Sequence, residues 1–239
     1  MKRTTLFALI AAAVIAALAI FFVMQQGDDS TASSAESPAT DAAAENSGQS
    51  GAAGADTVAM DELLAPGPVP DQVLGNADAP ITIVEYASLS CSHCADFHKN
   101  TLPEVKKRYI DTGKVRLIFR DFPLDQYATA GAMLARCAGE GKYFPIVDAF
   151  FSQQEGLLNA QDPFQWLQNF GKQVGFTQES LEACLSNQEL MDNLMAVRQR
   201  ASEKFGVSST PTFFFNGKVK RGGMTIEEFE KEIEPLVKS

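Results

Sequence analysis

Cys91, Ser92, His93 and Cys94 form a Cys-x-x-Cys directly after the apolar run Ile81 to Tyr86. Two sulfurs three positions apart can close a disulfide and reopen it, exchanging two electrons with an outside thiol pair. The thiolate is the reacting species, so the environment of each sulfur decides which of them works. The strand-like run before the pair and the amphipathic stretch after it, Ala95 to Ile110, set Cys91 at a strand-to-helix turn. Unpaired backbone N–H groups and the positive end of the helix dipole favour a thiolate there. His93, when protonated, adds a positive charge beside it. A stabilised reduced form makes the disulfide the better oxidant, so the pattern implies oxidation of other proteins' thiols. The alternatives are an inert disulfide or half of a zinc site. The commoner zinc arrangement needs a second Cys-x-x-Cys, which the sequence lacks.

The elements that must position these sulfurs can be read on either side of them. Val115 to Phe119 is a second run of β-branched and aromatic residues, giving a β-α-β unit with parallel strands and a right-handed crossover. Pro103 lies inside the intervening helical stretch and predicts a kink or break. Leu124 to Phe205 carries no strand pattern and predicts helices around Tyr127 to Gly139, Tyr143 to Gln154, Pro163 to Val174, Glu179 to Ser186 and Glu189 to Phe205. Its aromatic residues Phe144, Phe150, Phe151, Trp166 and Phe170 read as core. Thr212 to Phe215, the turn Asn216-Gly217 and Lys218 to Lys220 form a hairpin pattern, followed by a helix from Thr225 to Val237. The expected fold is α/β: residues 69–123 and 207–239 make one mixed domain, interrupted by a helical insertion at 124–206.

With Glu85, the block from Cys91 to Cys94 and the segment Val207-Ser-Ser-Thr-Pro-Thr-Phe213 in view, the chain resembles the DsbA-like thiol-disulfide oxidoreductases from roughly Val69 to Ser239. The resemblance implies a thioredoxin-like fold with an inserted helical domain. It also implies that substrate thiolates attack Cys91 while Cys94 is the buried partner. A cis peptide between Thr210 and Pro211 is implied too, presenting backbone groups beside the sulfurs to an extended substrate; the alternative is a trans proline opening an edge strand. The resemblance brings the Thr210 hydroxyl towards Cys91. Two departures matter. Ser92 stands where DsbA-type oxidants usually carry proline, and Thr before the proline is frequent in similar proteins of isomerase or milder redox character. A disulfide isomerase or reductase is therefore the alternative within enzymes.

Glu85 shares the strand parity of Ile81 and Ile83, so its carboxylate is expected to face the packed side and to relay a proton to or from Cys94, as an acidic residue does in the family. The alternative is a solvated strand-end glutamate. Arg120 in the next strand is the expected partner of Glu85. His98, four residues after Cys94, is expected to pack against a neighbouring element and not to bind a ligand. Cys137 and Cys184 fall in different predicted helices and are expected to form a structural disulfide. Closing a loop of about 47 residues would contribute roughly 4 kcal/mol in the chain-entropy account. Two separate buried thiols are the alternative.

The 239 residues carry 20 Lys and Arg against 30 Asp and Glu, a net charge of −10, which excludes nucleic acid as a partner. After Lys2 and Arg3, Leu6 to Met24 is uncharged and long enough to cross a bilayer, so residues 1–24 read as a signal anchor or a cleaved signal peptide. The positive-inside rule turns the rest towards the periplasm or another oxidising envelope space. Residues 25–68, rich in Ala, Ser, Gly and acids, read as a flexible acidic linker. The expected partners are reduced exported polypeptides as substrates and a membrane thiol-oxidising protein that restores the disulfide. A monomer needing no diffusible cofactor or metal is expected. From a different class, the Cys91–Cys94 pair plus a histidine could hold Cu(I) in a metal-delivery module, since soft thiolates select that ion.

Overall fold

The computed structural model describes residues 57–238. The expected membrane segment, residues 1–24, and the greater part of the expected linker lie outside the described residues. Five strands form one sheet: β1 (Gln72–Leu74), β2 (Ile81–Ala87), β3 (Val115–Asp121), β4 (Thr212–Phe215) and β5 (Lys218–Arg221), in the order β1-β3-β2-β4-β5. β2 and β3 run parallel, and the other three pairings are antiparallel. All seven residues of β2 are buried, as expected for a central strand covered on both faces. Ile81, Ile83, Leu117, Phe213 and Phe215 pack on one face beneath Phe97, Leu102 and Phe229. Val84, Tyr86, Ile118 and Phe214 pack on the other, against Leu63, Val197, Ala201 and Phe205.

The helical run that follows the cysteine motif is continuous from Ser92 to Ile110. It comprises α2 (Ser92–Asp96), a π-helical turn at Phe97–Thr101, α3 (Leu102–Val105) and a second π-helical turn at Lys106–Ile110. Pro103 does not break it. The proline has no N–H to give, and the turn before it is already widened, with the Leu102 N–H donating to Phe97 O five residues back.

Between β3 and β4 stand α4 (Gln126–Cys137), α5 (Tyr143–Leu158), α6 (Pro163–Gln173), α7 (Gln178–Leu185) and α8 (Gln188–Phe205). Asp125, Asp162, Thr177 and Asn187 cap α4, α6, α7 and α8 through side-chain oxygens. Phe150, Trp166 and Phe170 form a ring cluster inside this insertion, with Trp166 stacked on Phe170 at 5.3 Å. Cys137 at the end of α4 is disulfide-bonded to Cys184 on α7. Asp121 at the end of β3 ties the insertion to the sheet, accepting from Tyr143 Oη at 2.8 Å and Arg136 Nε at 2.7 Å.

β4 and β5 are joined by Asn216 and Gly217, both with positive φ (43° and 91°), the twist a two-residue hairpin requires. A terminal helix, α9 (Ile226–Val237), begins in a Thr225–Glu228 capping box.

Two parts of the chain depart from the sequence expectation. Residues 57–68, expected to belong to the linker, are packed on the domain. Thr57 bridges to Lys218, Val58 N–H donates to Gly217 O, a short helix α1 occupies Met60–Leu63, and Leu63 is fully buried. A few apolar residues spread among Pro, Gly and acids suffice because the sheet face that receives them is already formed. β1 was not expected either. Its three residues are held by pairing with β3 and not by a hydrophobic alternation of their own.

Candidate active site

Cys91 is the N-cap residue of α2, with extended backbone at φ −83° and ψ 120°. Its N–H donates to Ser88 O at 3.0 Å, and its carbonyl accepts from the N–H of Ala95, so the residue is clamped at both ends. Gln154 on α5 adds a third restraint: its Nε2 donates to Leu89 O at 2.6 Å and to Cys91 O at 3.1 Å. The helix begins here because the chain leaves the end of β2 through Ser88-Leu89-Ser90 and Ser88 Oγ bonds Ser90 and Leu124 N–H around the corner.

One turn separates two different sulfurs. Cys91 is partly exposed and Cys94 fully buried, and neither is bridged. The Cys91 thiol is lowered from 9.0 to about 5. The chief cause is the Cys94 S–H, which donates to the Cys91 thiolate; partial burial opposes it, and the Thr210 hydroxyl and the backbone N–H groups of Cys94 and His93 reinforce it. Cys94 is pushed the other way, well above 9.0, first by burial and then by its bond to Cys91 and the negative charge of Glu85. In protonated form Cys91 Sγ donates to Thr210 O at 3.3 Å. The Thr210 hydroxyl is buried and makes no hydrogen bond in this geometry.

The Thr210–Pro211 peptide is cis. Thr212 Oγ1 donates to Ser209 O at 2.7 Å and the Gly222 N–H to Pro211 O at 2.9 Å, fixing the segment across from Cys91. The structure thus brings Cys91, Cys94, Thr210 and Pro211 together. His93 lies exposed at the rim, where Gly223 approaches its Cβ.

Glu85 is fully buried on the face of β2 that lies under the cysteine helix. Its partner is not Arg120. In the parallel register Glu85 stands opposite Phe119, so Arg120 points to the other face of the sheet. There it makes a bidentate pair with Asp71 (2.7 and 2.9 Å) and donates to Tyr86 Oη and Leu63 O. The partner of Glu85 is His98, whose Nε2 lies 3.0 Å from Oε2 and 3.3 Å from Oε1. The ring packs on Phe151 and Phe119, as a buried helix residue should, but its polar edge joins the site. Burial alone would lower the proton affinity of His98; Glu85 and, less directly, Asp148 outweigh it and raise the ring to about 9. Sequence reading missed this pairing and the Gln154 clamp. The i+4 spacing of His98 from Cys94, together with the shared parity of Glu85 and Ile83, was the signal for the first; for Gln154 there was none. Among the described residues no three His, Cys, Asp or Glu side chains are grouped as a metal would need.

The sequence pattern of the family described as Thioredoxin matches residues 69–235. A putative protein-disulfide oxidoreductase of Rickettsia bellii is 33% identical over 148 residues, which is 62% of this chain and 57% of that protein. This chain spans about 57–61% of the length of it and its other Rickettsia relatives. The crystal structure of Wolbachia pipientis alpha-DsbA1 is similar with a TM-score of 0.68 at 34% identity, covering 74% of this chain and 96% of that one. Oxidised BdbD from Bacillus subtilis shares the fold, with a TM-score of 0.61 at 22% identity over 71% of this chain and 94% of that one.

Proposed function

The chain belongs to the thioredoxin family, in its DsbA-like branch, and from that premise we propose that it is a protein thiol-disulfide oxidoreductase that donates its Cys91–Cys94 disulfide to reduced polypeptides. The observation that carries the reading is the asymmetry of the pair: one partly exposed sulfur held as thiolate, one buried sulfur held as thiol. A substrate thiolate attacks Cys91 Sγ, a substrate–Cys91 disulfide forms, and Cys94 leaves and takes up a proton. A second substrate thiolate then attacks the substrate sulfur of that mixed disulfide, and Cys91 departs as the better leaving group. Two electrons pass to the protein and the substrate gains a disulfide.

In this reading Cys91 and Cys94 are the catalytic residues. Thr210 and Pro211 line the approach of an extended substrate, and the Thr210 hydroxyl donates to the Cys91 thiolate. His93 adds positive charge at the rim when protonated. Glu85 passes the proton that Cys94 takes and returns. Substrates are exported polypeptides in the periplasm or envelope, the N-terminal segment anchors or exports the domain, and a membrane thiol oxidase restores the disulfide. A reductase or isomerase is the second reading, favoured by Ser92 and Thr210.

Equilibrating the full chain with glutathione buffers, with Cys91→Ser as control, separates the two. A potential well above the glutathione couple supports the oxidant; one near that of thioredoxin overturns it in favour of the second reading.

A further inference from the structure

His98 Nδ1 is buried and has no hydrogen-bond partner. A buried ring nitrogen without a partner is uncommon and calls for an explanation, such as a bridging water or a role in the chemistry. The opposite edge is fully engaged, with Nε2 held by both oxygens of Glu85. Nδ1 lies 3.8 Å from Oδ1 of Asp148, too far for a direct bond, and the Asp148 side chain is 61% exposed. His98 and Asp148 both line a surface cavity of about 460 Å³ whose walls include none of Cys91, Thr210 or Pro211. A buried carboxylate beside Cys94 is thus joined, through one imidazole, to water on a part of the surface separate from the substrate approach.

Cys94 needs such a connection. Its sulfur gains a proton each time the disulfide opens and loses one each time it closes, yet it is fully buried. A bound substrate covers the Cys91 side at that moment. We propose that His98 and Asp148 complete a proton path for Cys94, with Glu85 and His98 exchanging in concert and the cavity as its outlet to solvent. The proposal rests on the thiol-disulfide exchange set out above.

When the disulfide closes, Cys94 gives its proton to the Glu85 carboxylate while His98 Nδ1–H releases one to water at Asp148. The new thiolate attacks Cys91 Sγ and expels the partner's thiolate. When the disulfide opens, Nδ1 takes a proton from that water as Glu85 hands its own to the Cys94 thiolate. One proton crosses the boundary in each direction, and the Glu85–His98 pair keeps zero net charge throughout. A buried pair that stays neutral avoids placing a carboxylate charge beside the Cys94 thiolate. Besides Asp148, the charged groups at the cavity are Lys99, Lys106, Lys107 and Asp111, with Lys106 paired to Asp111 at 3.1 Å. His98 is a positioning residue in this scheme, acting on the sulfur through Glu85.

The test is a single turnover of the full chain in its dithiol form with oxidised glutathione, quenched in acid, with the Cys91–glutathione intermediate and the closed disulfide separated by mass. If the wild type forms no intermediate, the exchange chemistry itself fails, whatever His98 does. Given that it does, His98→Ala is expected to form the intermediate at the wild-type rate and close the disulfide about tenfold or more slowly, with free imidazole restoring a large part of the closure rate. Closure within twofold of wild type, or slow closure that imidazole does not lift, overturns the path. Should His98→Ala fail to fold, Asp148→Asn decides on an exposed side chain. Closure slowed severalfold with an unchanged first step supports the path, and unchanged closure overturns it.

Discussion

The separation of the two cysteines predicts an unusual pH dependence of the redox equilibrium. Reduction of the disulfide consumes two electrons and as many protons as the resulting sulfurs hold. Cys94 keeps its proton to well above pH 9, whereas Cys91 keeps one only below about pH 5. Below that point the potential falls by about 59 mV per pH unit; above it one proton accompanies two electrons and the slope halves to about 30 mV. Glutathione takes two protons up to about pH 8, so the equilibrium constant for oxidising glutathione should rise about tenfold per unit between pH 5 and 8. The same titration bears on stability. A thiol whose folded value lies below its unfolded one stabilises the folded dithiol fully above pH 9, and that contribution disappears as the pH falls through 5. At pH 7, two units above the folded value, it amounts to about 2.7 kcal/mol before screening. Cys91 is partly exposed, so solvent reduces this to roughly 1–2 kcal/mol. Glutathione buffers at pH 4 to 8, with the dithiol fraction read by alkylation and mass, measure the slope directly. A slope of about 59 mV per unit persisting to pH 8 would show that Cys91 retains its proton and would refute the account of the pair.

Gln154→Ala removes its bonds to the buried Leu89 carbonyl and to the Cys91 carbonyl, which keeps its bond from the Ala95 N–H, so unfolding in urea should show a loss of about 1–3 kcal/mol and Cys91 alkylation should change rate; an unmoved midpoint would contradict the clamp. Replacing Cys137 and Cys184 together by alanine should lower stability by up to about 4 kcal/mol while leaving the Cys91 alkylation rate as it is, and a change in that rate would mean the bridge reaches the redox pair. Ser92→Pro should move the reduction potential by no more than about 20 mV in glutathione buffer; a shift beyond about 50 mV would show that the ring rearranges the donors around Cys91.

The insertion helices were legible in their apolar periodicity, and four of the five also begin at a side-chain cap, Asp125, Asp162, Thr177 and Asn187, whereas the helix at Tyr143–Leu158 has none. The hairpin was legible in Asn216-Gly217, whose backbone demands are local. Gln72–Leu74 and Met60–Leu63 were not, because short segments with little periodicity acquire their shape from the surface that receives them. The mistaken pairing of Glu85 with Arg120 has a single cause. Side-chain parity within β2 was read correctly, but register between β2 and β3 is a tertiary fact, and a shift of one residue exchanges the face on which a side chain lies. The cysteine motif and the Thr210-Pro211 segment stood out by residue type; their meeting across 119 residues could be inferred only from resemblance.

Ser92 is the departure that most unsettles an oxidant reading, and the geometry limits its weight. The side chain is exposed and contributes to none of the interactions that lower Cys91, which come from the Cys94 thiol, the Thr210 hydroxyl and the backbone of Cys94 and His93. Proline at this first helical position would act mainly by fixing φ in advance, a conformational effect of about 0.4–1 kcal/mol. Even if all of it fell on one redox state, at about 30 mV per 1.4 kcal/mol it would amount to roughly 10–20 mV. The thiolate's own stabilisation at pH 7, after screening, corresponds to about 20–40 mV by the same conversion. The start of the helix and the burial of Cys94 therefore contribute about twice as much to the direction of electron flow as the residue placed between the sulfurs.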